Sequence, residues 1–71
     1  MAFTRSSIKA KDVMVDDWFY ICGKMNRVTS VTDADDKVRI AYVPESDLSS
    51  KEHRVTFVSK GTAMFIYNQS N

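Results

Sequence analysis

The sequence predicts a small all-β protein: one strongly bent barrel of five short strands. Three observations carry this. Val, Ile, Thr, Tyr, Phe and Trp recur in runs of four to eight residues. Polar or glycine-bearing turns separate those runs. Two valines, Val28 and Val31, are spaced by three where a strand alternates by two, the signature of a bulge or sharp bend.

Residues 1–12 precede the first apolar run and fit either a short helix capped by Ser6 or Ser7 or an extended arm. The first strand is Trp18 to Ile21, led in by Val13 and Val15. Gly23 and Lys24 form the turn after it. The second strand, Arg27 to Thr32, holds the expected bend. Asp33 to Asp36 form the next turn, because Asp side chains cap turn backbones. The third strand, Lys37 to Val43, alternates cleanly, with Val38, Ile40 and Tyr42 on one face. Pro44 ends it, since proline donates nothing to a ladder. A polar loop, Glu45 to Glu52, leads to the fourth strand, Arg54 to Val58. Lys60 and Gly61 make a tight turn. The fifth strand, Ala63 to Tyr67, is apolar on both faces, and residues 68–71 read as a frayed tail.

Seventy-one residues make one domain, 1–71. A chain this short buries only about 60% of its unfolded surface, so an extra staple is expected. Cys22 stands alone, which excludes an internal disulfide. Cys22 and His53 are too few for a structural zinc site. Oligomerisation is the remaining staple, and a hydrophobic content of 44% agrees with it. No stretch approaches the roughly 20 apolar residues of a membrane span. No signal peptide is visible, and with one free cysteine the expected setting is cytoplasmic. The carboxylates sit scattered in turns, and His53 lacks a matched acid–base partner. The chain is therefore expected not to be an enzyme and to need no cofactor or metal.

The net charge is +1, well short of a strongly basic nucleic-acid binder. The charges are unevenly spread, however. Beyond His53 there are two cations, Arg54 and Lys60, and no acid. Trp18, Phe19 and Tyr20 offer a stacking platform of which only alternate members share a face.

Residues 57–67 read F-V-S-K-G-T-A-M-F-I-Y. This resembles the second motif of the Sm and LSm family, in which an apolar strand runs into a basic residue and a glycine before the last strand. Gly23, the bent strand 27–32, Asp33 and Val38 to Ile40 resemble the first motif in outline. The resemblance covers about residues 18–67. It departs from the family in having no glycine within the second strand and Lys37 in place of the loop asparagine. The resemblance implies an Sm-like barrel that forms a homo-oligomeric ring by pairing strand 63–67 of one copy with strand 54–58 of the next. It implies a pore lined by Asp33 to Lys37 and by Lys60 and Gly61. Single-stranded RNA or DNA is the implied partner, with Lys60, Gly61, Asp33, Lys37 and Arg39 as contacts. The expected function is non-catalytic RNA binding in RNA or DNA processing. Two other readings stand beside it. One is a monomeric Tudor- or KOW-like interaction barrel with a Trp18, Tyr20 and Tyr42 patch. The other is a structural subunit of a viral assembly.

Overall fold

The computed structural model describes residues 2–21, 23–49 and 51–70, with side chains described between 4 and 68. Cys22, read from sequence as a small strand-end residue, lies outside the described residues. The protein is all-β. Its six strands are β1 (Ala2–Lys9), β2 (Trp18–Ile21), β3 (Lys24–Ala34), β4 (Lys37–Pro44), β5 (Arg54–Ser59) and β6 (Ala63–Ser70). They form one antiparallel sheet in the order β1-β6-β2-β3-β4-β5. Short 3-10 turns occupy Ala10–Asp12 and Glu45–Asp47.

Two expectations are corrected here. The sheet is open and six-stranded, where a five-stranded barrel was expected. Of the two readings of the N-terminal segment, a short helix or an extended arm, residues 2–9 take the extended one and form a strand, because their backbone groups find partners all along β6, from Ala2 opposite Ser70 to Lys9 opposite Ala63. That same pairing extends β6 to Ser70, so residues 68–70 belong to the sheet where a frayed tail was expected. The sequence of β1 hid this. Arg5, Ser6 and Ser7 break the apolar alternation that marks a strand.

The bend in β3 is where the valines place it. The ladder with β4 runs Val28 opposite Tyr42, then slips so that Ser30 faces Ala41. The extra residue, Thr29, turns both Val28 and Val31 toward the interior. A loop locks the bulge in place. Asp16 N–H donates to Val28 O at 2.8 Å, and Val28 N–H donates to Asp17 O at 2.8 Å. Asp16 reaches this position with φ of 76°, a left-handed conformation Asp tolerates.

The interior lies on one face of the curled sheet. Val28, Ile40, Phe19, Val38, Tyr42 and Ile66 form it with Ala10 and Val13. Phe19 and Tyr42 meet edge to face, 5.2 Å between centroids. The turn at Ala10–Asp12 crosses this face and touches β4 and β5. It is tied down by Ala10 N–H to Thr62 O at 2.9 Å and Lys11 N–H to Lys60 O at 3.2 Å. Asn26 is the buried polar residue, satisfied by donating from Nδ2 to Lys24 O at 2.7 Å.

β6 is flanked on both sides, by β1 along its whole length and by β2 at Trp18 opposite Tyr67. Assembly by laying strand 54–58 against strand 63–67 of a neighbour would therefore have to displace β1. The strands with one open side are β1 and β5.

Candidate nucleic-acid interface

Four of the five expected site residues gather at one end of the sheet. Lys37 opens β4 opposite Ala34 and lies beside Ser59 of β5. Lys60 N–H donates to Asp36 O at 3.0 Å, which joins the β3–β4 turn to the β5–β6 turn. The Lys60 ammonium forms an ion pair with Asp33. Gly61 follows in the same turn. Arg39 lies one repeat further along β4, between Thr32 and Phe57.

This end is less cationic than expected. Asp33, Asp35 and Asp36 stand with Lys37 and Lys60, and Lys60 is already engaged by Asp33. Gly61 is also not required by backbone geometry. It has no positive φ, and a Cβ there would meet nothing. Gly23 is the glycine that geometry demands, with φ of +74° in the β2–β3 turn.

A larger feature lies on the outer face of the sheet, away from the interior. Residues opposite one another in antiparallel strands share a face. The register therefore places Arg5, Ser7 and Lys9 of β1 beside Tyr67, Phe65 and Ala63 of β6. Trp18 of β2 adjoins Tyr67, and Tyr20 follows on the same side. Arg27 of β3 is opposite Trp18, and Arg39 of β4 is opposite Phe57 of β5. The side chains agree with this register. Tyr20 and Tyr67 rings meet edge to face at 5.0 Å, and the Arg5 guanidinium sits 4.7 Å over the Phe65 ring. Tyr20 and Phe65 are each 53% exposed, and Phe57 is 56% exposed. β2 and β6 pair through Trp18 and Tyr67 alone. Beyond that point they leave a cleft of about 260 Å³ between Tyr20 and Phe65, with Phe19 and Met64 also lining it.

Charge divides sharply between strands and connections. Arg5, Lys9, Lys24, Arg27, Lys37, Arg39 and Arg54 lie in strands, seven of ten cations. Of nine acids, Asp33 alone lies in a strand. By register Asp33 pairs with Val38, on the inner side. The strand positions of the outer face thus carry five cations, Arg5, Lys9, Arg27, Lys37 and Arg39, and no acid. Arg27 is partly committed, its Nε 3.9 Å from Asp16 Oδ1 and buried without a hydrogen bond.

This face was only partly visible in the sequence. The alternate pair Trp18 and Tyr20 shares it, as expected, with Phe19 turned to the interior. The Trp18, Tyr20 and Tyr42 patch does not form, because Tyr42 is buried on the opposite face against Phe19. Arg5 and Phe65 were missed because the pairing of the two ends of the chain is a long-range event. His53 is exposed, with Nδ1 2.9 Å from Thr29 Oγ1. Among the described residues no group of three or more His, Cys, Asp or Glu is placed to hold a metal ion, and no helix is long and apolar enough to cross a membrane. Set against family models, curated proteins and solved structures, the chain finds no significant match.

Proposed function

We propose that this protein is a non-catalytic module that binds single-stranded nucleic acid, RNA first among the candidates, on the outer face of its sheet. The observation that carries the proposal is the coincidence on one face of exposed aromatic rings and five cations, with no acid at any strand position of that face. Phosphates need cations for affinity. Unpaired bases need flat apolar surfaces, and stacking on an aromatic ring contributes about 1–3 kcal/mol per base. Tyr20 and Phe65 lie on β2 and β6 and Phe57 on β5, so one strand of nucleic acid crossing the sheet meets Arg27, Lys37 and Arg39 between these rings and Arg5 and Lys9 beyond Phe65.

This reading moves the contact surface away from the Lys60 and Gly61 rim. Lys37 and Arg39 stay in the interface. Lys60 leaves it, because binding a phosphate would first require breaking its pair with Asp33. The Sm-like relationship is kept as part of the proposal, supported by the bulged β3 and the tight turn from β5 into β6.

The test is fluorescence anisotropy with labelled oligo-U and oligo-A at low salt. The protein should bind both. Phe65→Ala and Tyr20→Ala should each weaken binding by roughly five- to a hundredfold, from the stacking energy of one base. Both side chains are exposed, so circular dichroism should show the fold intact. Failure of the parent protein to bind either oligomer at low salt would refute the proposal.

A further inference from the structure

We infer that β5 is the seam between two copies of this chain, paired with itself in antiparallel sense about Thr56. An open sheet has two edges, and they differ here. β1 presents Arg5, Ser6, Ser7 and Lys9, the charged and polar residues that discourage edge pairing. β5 opens with one cation, Arg54, and then presents Val55, Thr56, Phe57, Val58 and Ser59, with no further charge, proline or bulge among them. Val55 and Phe57 are 39% and 56% exposed on that edge. An unpaired edge of β-branched and aromatic residues is a template for another strand.

The occupant follows from self-complementarity. A two-fold axis normal to the sheet keeps both outer faces on one side, so residues of equal parity must meet. Centring the axis on Thr56 puts Val55 opposite Phe57 of the second copy, twice. It puts Thr56 opposite Thr56, a favourable cross-strand pair, and Arg54 opposite Val58. Moving the centre to Phe57 sets Val55 against Ser59 and loses both Val55–Phe57 pairs. Moving it to Val55 sets Phe57 against His53 and leaves the end of the strand unpaired. The centred register alone pairs Val55 with Phe57 on both sides of the axis. The seam does not depend on nucleic acid.

One strand pair buries far less than the roughly 1,600 Å² of a standard interface, so the dimer is a weak one. Light scattering from about 10 μM to about 1 mM should show the mass rising from 8.1 kDa toward twice that value. Phe57→Lys should keep the circular dichroism spectrum and shift the midpoint upward at least about tenfold. In a Cys22→Ser background, Thr56→Cys should oxidise to a disulfide-linked dimer, because facing residues bring Cβ atoms within about 5.5 Å. Ser59→Cys, which faces His53 in this register, should not. A chain that stays monomeric at about 1 mM, a dimer indifferent to Phe57→Lys, or cross-linking at 59 in preference to 56 would each overturn the inference.

Discussion

Salt dependence offers the sharpest measure of how many cations touch nucleic acid. Binding to single strands weakens with a slope of about −0.7 in log–log form for each phosphate neutralised. The outer face carries Arg5, Lys9, Lys37 and Arg39 with no acid in ion-pair range among the described residues, while Arg27 leans on Asp16. Four contacts give a slope of about −2.8, or roughly a fiftyfold loss of affinity between about 50 and about 200 mM salt. Replacing Lys37 and Arg39 together by Gln removes two of the four. The slope should fall to about −1.4, and the same change in salt should cost only roughly sevenfold. Lys60→Gln is the internal control. Its ammonium is neutralised by Asp33 in the free protein, so its loss should leave the slope unchanged. The assay is anisotropy with labelled oligo-U at several salt concentrations for the three proteins. Should Lys60→Gln flatten the slope as much as the double variant, the contact surface lies at the rim and the outer-face argument fails.

Other expectations concern the fold. Gly23→Ala should destabilise by about 1–2 kcal/mol in urea unfolding, because φ of +74° costs a Cβ that much. Gly61→Ala should be neutral or add up to about 1 kcal/mol, since its backbone is ordinary and its surroundings open. Ile40→Ala removes a fully buried side chain at the centre of the interior and should cost about 2–5 kcal/mol, a large share of the stability of so small a domain. Deleting residues 1–9 strips the cover from β6 and should yield a chain that aggregates or pairs through that edge, read by light scattering.

The local grammar of the sequence proved informative. Pro44 ends β4, the valine spacing marks the bulge at Thr29, and the alternation of Val38, Ile40 and Tyr42 points to the interior. These features rest on residues close together in the chain. The sixth strand escaped notice for the opposite reason. Arg5, Ser6 and Ser7 carry no strand signal alone, and they are extended because β6 supplies partners some sixty residues away. The outer face follows the same logic. Phe65 and Tyr67 suggested a strand sheltered on both sides, yet Phe65 remains 53% exposed under an arginine that sequence spacing could not bring to it. Lys37 and Lys60 stand at one end of the sheet, and the ladder sets Arg5, Lys9, Arg27 and Arg39 across its outer face.

The pairing of β1 with β6 also orders events in time. Ala2 meets Ser70, so the contact joins residues far apart in sequence. Contacts between such distant residues form late and slow the folding rate. The meander from β2 to β5 can therefore form first, with β6 and β1 added to it afterwards.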